Sequence, residues 1–260
     1  MKGVKTPAVI GVIPARWGST RFPGKMLAPL CGKPLVQWVW EAARKARRLD
    51  AVLVATEDDR VCEAVRRFGG EAVLTRADHP SGTDRVAEAV AGRGAEVVIN
   101  IQGDEPLLDP AVIDRLAGGL ADDASWDMAT AAAPLAPGED LRSPMIVKVV
   151  FAADGRALYF SRAVIPHVRD DGSGARAAGS LYWRHIGIYA YRRGFLEKLV
   201  AAPPCALELA EKLEQLRVLH LGGRMKVIPV RHAGLAVDVP GDVPRVEAAI
   251  RARGERPAGI

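Results

Sequence analysis

Two arginines and a lysine are interleaved with glycines and hydroxyl side chains in one short segment near the start of the chain. The segment reads PARWGSTRFPGK over residues 14–25 and directly follows the apolar run Ala8–Ile13. Glycines let backbone N–H groups approach an anion closely, and the cationic side chains offset its charge. This cationic loop is therefore suited to a polyphosphate, although a basic surface loop that joins a strand to a helix can have the same composition.

The spacing within the cationic loop disfavours two common nucleotide-binding classes. Five residues separate Gly18 from Gly24, and Met26 follows Lys25. A Walker A loop needs four residues between its glycines and a Ser or Thr after the lysine, so a P-loop NTPase is disfavoured. The first strand is also not followed by G-x-G-x-x-G, which disfavours a dinucleotide-dependent dehydrogenase.

Two aspartates farther along the chain can supply carboxylates opposite these cations. Asp104 lies in NIQGDEP (100–106), after an apolar strand, and Asp238 lies in GLAVDVPGD (234–242). Mg²⁺ takes one or two carboxylates and completes its shell with phosphate and water. Asp, Gly and Pro are also the residues of ordinary turns, so the local sequence leaves both interpretations open.

Apolar runs alternate with helical patterns over the first half of the chain, which predicts an α/β fold. We predict strands at Ala8–Ile13, Ala51–Ala55, Glu71–Leu74, Glu96–Ile101 and Met128–Ala133, and helices at Leu35–Arg48, Arg60–Phe68, Thr83–Val90 and Pro110–Leu120. This alternation is typical of a parallel sheet covered by helices, where ligands bind beyond the carboxyl ends of the strands. The cationic loop and Asp104 both follow such strand ends.

The pattern changes after about residue 144 and predicts more β structure. The predicted elements are a hairpin of Ile146–Ala152 with Ala157–Ser161, a mobile loop at 169–180, a strand at His185–Tyr191, a helix at Leu207–Leu221, a strand at Met225–Val230, and a last helix that starts near Pro244 with Asp242 as its cap. The tail at 254–260 is predicted to fray.

Several polar side chains allow both a structural and a functional interpretation. Ser81 and Thr83 can hydrogen-bond a nucleobase or cap the helix that follows. His185 and Tyr189 share one face of their strand, where they can line a pocket or belong to a half-buried sheet.

Glu214 falls on the apolar flank of the predicted helix Leu207–Leu221. An ionised acid in that position is costly unless it has a partner. Arg217 or a ligand can be that partner, whereas Gln215 lies on the polar arc.

Composition favours a globular protein with an anionic small-molecule substrate. The 260 residues carry 36 Lys and Arg against 31 Asp and Glu, a net charge of +5 that is spread along the chain without a nucleic-acid motif. The three cysteines form no C-x-x-C pair, and neither a signal sequence nor an apolar stretch of ~20 residues occurs. We therefore predict one cytoplasmic domain over residues 1–260, with no nucleic-acid or membrane partner.

Taken together, these motifs identify a family resemblance that runs from about Val9 to Arg251. The chain resembles the 3-deoxy-manno-octulosonate (Kdo) cytidylyltransferases, also called CMP-Kdo synthetases. The segments that carry the resemblance are VIPARWGSTRFPGK (12–25), TRADHPSGTDR (75–85), NIQGDEP (100–106), VKVV (147–150), ALYFSR (157–162), RHIGIYAY (184–191) and LEQLR (213–217).

The resemblance implies transfer of CMP from CTP to the anomeric hydroxyl of Kdo, with release of pyrophosphate, as a step of lipopolysaccharide biosynthesis. It implies the three-layer α/β/α nucleotide-diphospho-sugar transferase fold, with a mostly parallel sheet and a smaller β-rich lobe at about 144–230 for sugar binding and dimerisation. It also implies a homodimer and Mg²⁺ as cofactor. The alternatives are transfer to a modified Kdo or another acidic sugar, and a nucleotide-sugar binder without catalysis.

The resemblance also implies roles for individual residues. The nucleotide would be bound by Ala15, Arg16, Ser19, Arg21, Lys25, Arg76, Ser81, Thr83 and Gln102. Kdo would be surrounded by Gln102, Arg162, His185, Tyr189, Glu214 and Gln215. Asp104 and Asp238 would bind Mg²⁺, and Arg16, Lys25 and Asp104 would be the catalytic residues.

Overall fold

The computed structural model describes residues 8–136, 138–169, 181–231 and 234–254. These residues divide into two compact units, one from Met1–Ala117 with Gly234–Ile260 and the other from Gly118–Ala233. The predicted loop at 169–180 and the predicted tail at 254–260 lie, apart from Arg169 and Gly254, outside the described residues.

The strands in the described residues are β1 (Val9–Pro14), β2 (Pro29–Leu30), β3 (Lys33–Pro34), β4 (Ala51–Thr56), β5 (Glu71–Leu74), β6 (Val97–Asn100), β7 (Met128–Pro134), β8 (Lys148–Phe151), β9 (Ala157–Ser161), β10 (Trp183–Arg192) and β11 (Met225–Pro229). The α-helices are α1 (Leu35–Ala43), α2 (Asp59–Arg67), α3 (Gly82–Ala89), α4 (Pro110–Ala121), α5 (Arg193–Ala201), α6 (Ala206–Glu211), α7 (Gln215–His220) and α8 (Val243–Ala252). Short 3₁₀ turns occur at Lys25–Leu27 and Pro240–Asp242.

The first unit is built on a parallel sheet with the strand order β6–β1–β4–β5. Its central strands are apolar on both faces because helices cover them, and α1 and α3 pack against both β1 and β4. The carboxyl ends of β1 and β6 therefore lie side by side, with Val12 opposite Asn100. This register brings the cationic loop after β1 next to the segment that contains Asp104, and it confirms the predicted α/β class with a mostly parallel sheet.

An apolar cluster beside the sheet of the first unit fixes the two segments that carry Asp104 and Asp238. Leu107, three residues after Asp104, and Val237, one residue before Asp238, are both buried in it. The cluster also contains Trp38 of α1 and Val246 and Ile250 of α8. Burial of large side chains stabilises each by about 1.5–3 kcal/mol, so the cluster anchors both acidic segments beside the sheet.

The second unit is richer in antiparallel pairing. β7 pairs antiparallel with β10 and parallel with β11, and β8 pairs antiparallel with both β9 and β10. The predicted hairpin is therefore confirmed. The register between β7 and β10 shifts between Ile186 and Tyr189, which marks a β-bulge in the strand that carries His185.

Helix α1 ends earlier than predicted. Periodicity predicts a helix to Arg48, but α1 ends at Ala43 and closes with bonds from the amides of Lys45 and Ala46 to the carbonyls of Ala42 and Ala43. Beyond this turn, the amides of Arg47 and Arg48 both donate to Asp114 Oδ1 at 2.8 Å. Since these amides serve a distant carboxylate, they cannot extend the helix.

The predicted helix Leu207–Leu221 is wrong, because the chain breaks it into α6 and α7. Lys212 has the left-handed conformation, with φ of 53°, and Leu213 turns into the core. The carbonyls of Glu211 and Lys212 accept from the Arg162 guanidinium, at 2.7 Å from Nε and 3.4 Å from Nη2. These carbonyls are thereby satisfied without a continued helix.

In the part of the chain that the structure describes, no helix has the length and apolar character needed to span a bilayer.

Candidate active site

A cavity of about 390 Å³ opens in the first unit at the carboxyl ends of β1 and β6. Six of the residues predicted to bind nucleotide line it, together with both predicted metal ligands. These eight residues are Arg16, Ser19, Arg21, Lys25, Ser81, Gln102, Asp104 and Asp238. The structure thus brings together segments that lie more than 200 positions apart in the sequence.

Each of the two carboxylates contacts a cation of the cationic loop. Lys25 Nζ donates to Asp104 Oδ2 at 2.8 Å, and the Lys25 side chain is only 9% exposed. Arg21 Nη2 donates to Asp238 Oδ1 at 3.2 Å in a more open position. A buried ammonium without a partner is strongly unfavourable, so Asp104 stabilises the charge of Lys25 in the ligand-free protein.

Close backbone packing places Asp104 at this point. A Cβ on Gly103 would lie 3.0 Å from both the Pro14 carbonyl oxygen and Met26 Sδ, so only glycine lets the segment approach β1 this closely. The carbonyl of Asp104 accepts from the Val237 amide at 2.9 Å. That bond holds the segment of Asp238 beside Asp104.

Asp242 holds the Asp238 segment rather than capping α8. Its Oδ2 accepts from the amides of Asp238 at 2.9 Å and Val239 at 3.0 Å, and its side chain makes no capping bond to the helix. Asp242 therefore has the predicted N-cap position of α8, but its side chain does not cap the helix because the carboxylate is turned back to the preceding turn. These two amide hydrogen bonds, with Arg245 nearby, lower the pKa of Asp242.

Glu105 adds a third acidic side chain to this region. Burial, together with the negative charges of Asp104 and Asp238, raises the pKa of Glu105 to about 7. Three acidic side chains therefore lie near one another beside the cationic loop, and Glu105 is only partly ionised at neutral pH.

Sequence reasoning missed two side chains of the cavity wall. Arg85 of α3 lines the cavity with its side chain 5% exposed. His79 also lines it, with Nε2 against Glu88 Oε2 and Nδ1 buried without a hydrogen-bond partner. Both residues lie in the segment TRADHPSGTDR, but neither has a local signature, because the ion pair of Arg85 is with Glu57, which is distant in sequence, and that of His79 is with Glu88 on the helix that follows.

Three residues predicted to bind nucleotide do not line the cavity. Ala15 is fully buried, with its amide on the Ala55 carbonyl at 2.8 Å, and Thr83 is buried in α3. Arg76 is exposed and lies near Asp78 and Glu88. Ser81, which does line the cavity, caps α3: its Oγ accepts from the amides of Thr83 and Asp84. A contact of any of the four with a nucleotide stays a prediction.

In the second unit, His185 belongs to a row of aromatic rings. Its ring centroid lies 5.0 Å from that of Phe160 and 5.5 Å from that of Tyr189. The Thr130 hydroxyl donates to the Ile188 carbonyl at 2.9 Å, so its oxygen accepts from His185 Nε2 at 2.9 Å. Burial lowers the pKa of His185 to about 3, which makes it a neutral imidazole with Nδ1 as an acceptor.

Near the helix break, Glu214 has the ion-pair partner that the sequence allowed, Arg217, although Arg217 is shared with a second acid. Arg217 pairs mainly with Glu208, with two contacts of 2.8 Å, and its Nη2 lies 3.7 Å from Glu214 Oε2. Glu214 therefore does not lie on the apolar flank of a continuous helix, and that prediction is wrong. Gln215 is buried at the start of α7.

The Arg162 guanidinium is largely engaged with the backbone. In addition to the two carbonyls at the helix break, Nη1 donates to the Pro144 carbonyl at 2.8 Å. Lys148 is buried beside it and donates from Nζ to the carbonyls of Ser143, Ile146 and Arg162. The two cations thus fix the turn at 143–146 and the end of α6, and the contact of Arg162 with a sugar stays a prediction.

The first-unit cavity can bind a polyphosphate together with a divalent cation. Its cations can each bind phosphate oxygens, and its carboxylates can become ligands of a hard metal ion. The comparison with known proteins agrees with that chemistry. A family model described as Cytidylyltransferase matches residues 10–227, which defines the class of protein.

The comparison with individual proteins is more specific. The chain is 47% identical over 243 residues to the 3-deoxy-manno-octulosonate cytidylyltransferase of Geobacter sulfurreducens, covering 92% of this chain and 97% of the relative. It is 49% identical over 246 residues to the protein of that name from Myxococcus xanthus, covering 94% and 97%. The chain belongs to the family of 3-deoxy-manno-octulosonate cytidylyltransferases.

A solved structure agrees with this assignment. It is that of CMP:2-keto-3-deoxy-manno-octonic acid synthetase complexed with CTP, and it matches with a TM-score of 0.89 and 41% identity. The match covers 95% of this chain and 99% of that one. The predicted nucleotidyltransferase fold is thereby confirmed.

We expect His185 to make the protein less stable at acid pH. In the unfolded chain His185 binds a proton below about pH 6.5, whereas in the folded protein it does so only near pH 3. The free energy of unfolding is therefore unaffected by His185 above pH 6.5 and falls by about 1.4 kcal/mol per pH unit below it. Urea unfolding at pH 7.0 and 5.5 should show a loss for the parent that exceeds the loss for His185→Gln by about 1 kcal/mol. Equal losses would contradict a neutral His185.

Proposed function

We propose that this protein transfers CMP from CTP to the anomeric hydroxyl of Kdo and releases pyrophosphate. The observation that carries the proposal is the cavity at the carboxyl ends of β1 and β6, where Lys25 and Arg21 face Asp104 and Asp238. Relatives that are 47% and 49% identical over nearly the full chain carry the name of this activity.

The cationic loop binds the triphosphate. Arg16, Arg21 and Lys25 line the cavity within ten residues of one another and supply three positive charges, while Ser19 supplies a hydroxyl donor. Attack of the sugar hydroxyl on the α-phosphate moves negative charge onto the departing pyrophosphate. Fixed cations stabilise that charge in the transition state, and such electrostatic stabilisation is the main contribution in phosphoryl transfer.

Asp104 and Asp238 would hold Mg²⁺. Two carboxylates at the mouth of a phosphate site fit the preference of Mg²⁺ for one or two protein oxygens plus substrate phosphates. The described residues contain no group of three or more His, Cys, Asp or Glu side chains suited to a metal, so the remaining ligands would come from CTP and water. When bound, Mg²⁺ neutralises phosphate charge and orients the reacting groups.

The second unit supplies most of the predicted sugar contacts. We propose His185, Tyr189, Glu214, Gln215 and Arg162 for this role, while a sugar contact of Gln102 stays a prediction from the family resemblance. A neutral His185 presents Nδ1 as an acceptor for a sugar hydroxyl.

We also infer that the reaction takes place in the cytoplasm, as a step of lipopolysaccharide biosynthesis. The scattered cysteines support a reducing compartment, and the family resemblance supports the pathway.

The activity is tested by pyrophosphate release with Mg²⁺. We expect release with CTP and Kdo, and much slower release when UTP, GTP or ATP replaces CTP. A panel of acidic sugars, including modified Kdo, identifies the acceptor. Binding of CTP without pyrophosphate release for any sugar would contradict the proposal and favour a nucleotide-sugar binder.

We predict that Asp104→Asn lowers kcat by about 100-fold, because the amide is neutral and a poor Mg²⁺ ligand. Asn can still accept from Lys25, so the ligand-free variant should fold. Calorimetric titration of the CTP complex with Mg²⁺ should show weaker metal binding.

The matched control is Asp109→Asn, an exposed acid of the same unit whose Oδ1 accepts from the Ala111 amide. That variant should behave like the parent. Parent-like Mg²⁺ affinity and turnover in Asp104→Asn would refute the metal assignment.

We further propose a homodimer formed through the second unit. Four large apolar side chains of that unit are exposed, namely Met145, Leu158, Leu207 and Leu209, at 72%, 49%, 46% and 53%. A second copy of the chain would bury them, and exposed apolar surface of this kind is used in the interfaces of symmetric dimers.

Light scattering after size exclusion tests the dimer. We expect twice the mass of one chain for the parent and the mass of one chain for the double variant Leu158→Arg with Leu209→Arg. The control Leu74→Arg, at an equally exposed leucine of the first unit, should remain dimeric. A parent with the mass of one chain would contradict the proposal.

A further inference from the structure

Trp17 joins the two ends of the cationic loop. Its carbonyl accepts from the Ser19 amide at 2.9 Å and from the Gly24 amide at 3.2 Å. Its own amide donates out of the loop to Glu57 Oε1 at 2.8 Å. The backbone of one residue therefore closes the loop and attaches it to the end of β4.

The Trp17 ring packs against the residue that precedes Lys25. Gly24 has φ of +68°, and a Cβ there would lie 2.9 Å from the ring. The Trp17 ring also makes a cation–π contact with Arg60, whose Cζ lies 3.5 Å from a ring centroid. Because Gly24 fits against the ring without a side chain, the position of Trp17 sets the position of Lys25.

Glu57 is held in turn by Arg85 from the cavity wall. Arg85 Nη1 lies 2.9 Å from Glu57 Oε2 and donates to Thr75 Oγ1 at 2.5 Å. The Arg85 side chain is 5% exposed and that of Glu57 is 17% exposed. A buried guanidinium and a buried carboxylate each need the other, so removal of either partner leaves an uncompensated charge.

We propose that Trp17, Glu57 and Arg85 form a positioning relay for the cationic loop. In this relay, Arg85 fixes the Glu57 carboxylate, Glu57 fixes the Trp17 amide, and Trp17 holds Gly24 and Lys25 in place to bind the triphosphate. Glu57 and Arg85 are thus positioning residues for CTP. The inference rests on the proposed function, because it assumes that the loop binds the triphosphate.

The chemistry of Glu57 makes Glu57→Gln a sharp test. The carboxylate offers Oε1 to the Trp17 amide and Oε2 to the Arg85 cation. A carboxamide has the same shape but only one acceptor oxygen, which the positive charge of Arg85 attracts, so its NH₂ group faces the Trp17 amide. One contact of the relay is therefore lost while the volume of the side chain is kept.

Steady-state kinetics give the first readout. We expect Glu57→Gln and Arg85→Met to raise the KM for CTP about tenfold and to leave the KM for the sugar within about twofold. The first variant loses the carboxylate that accepts from the Trp17 amide, and the second loses the ion pair of 2.9 Å that holds this carboxylate. Arg85→Lys keeps the charge and should restore the KM for CTP to within about threefold of the parent. The matched control is Glu71→Gln, which removes the more exposed Glu71–Arg93 pair of 2.8 Å in the same unit and should behave like the parent.

Selective ¹⁵N-tryptophan labelling gives a second readout that needs no turnover. The chain has five tryptophans, and loss of one backbone signal in Trp17→Phe assigns Trp17. In the ligand-free parent, the Trp17 amide should exchange slowly with solvent because it donates to a carboxylate. In Glu57→Gln it should exchange faster, while the other assigned tryptophan amides keep their rates.

These readouts separate the possible failures. A parent that binds no CTP refutes the proposed function, and with it the role of the relay. The relay alone is refuted if the parent binds CTP and both Glu57→Gln and Arg85→Met fold, but their KM for CTP is unchanged. It is also refuted if their KM for CTP rises only as much as their KM for the sugar. If these two variants do not fold, the parent and Arg85→Lys still decide. Rapid exchange of the Trp17 amide in the parent refutes the relay. Slow exchange in the parent, together with a parent-like KM for CTP in Arg85→Lys, supports it.

Discussion

The pairing of loop cations with carboxylates at one edge of a parallel sheet is the interaction on which the nucleotide site depends. Lys25 is almost buried and donates to Asp104 at 2.8 Å, and Arg21 donates to Asp238 at 3.2 Å. The buried ammonium of Lys25 depends on its carboxylate partner more than the exposed guanidinium of Arg21 does. In the proposed function, CTP with a divalent ion would offer both sets of groups new partners of opposite charge. The ligand-free pairs therefore keep the site assembled until the substrate replaces them.

The rest of the first unit serves this arrangement. The register of β1 with β6 brings the two segments together, Gly103 permits their close approach, and the cluster around Leu107 and Val237 fixes both acidic segments. In the second unit, the predicted sugar-binding residues are held mainly by burial and by hydrogen bonds to the backbone. There, His185 is kept neutral by burial, Arg162 binds the backbone carbonyls at a helix break, and Lys148 binds the carbonyl of Arg162.

The sequence was sufficient to predict the strands of the first unit, because runs such as Val9–Pro14 are apolar on both faces. It also predicted which loops meet, since the carboxyl ends of parallel strands share one edge. It could not reveal the break at Lys212, because periodicity continues through Leu213 while the Arg162 guanidinium takes the carbonyls. Arg85 and Glu57 were missed for a similar reason, since their pairing joins residues 28 positions apart.

The most direct test of the nucleotide site is the crystal structure of the protein with CTP and Mg²⁺. We expect the phosphates to contact Lys25 and Arg21. We also expect the hydrogen bond of 2.8 Å between Lys25 Nζ and Asp104 Oδ2 to be broken in that complex. A structure with CTP bound, the Lys25–Asp104 contact intact and the phosphates remote from the cationic loop would contradict it.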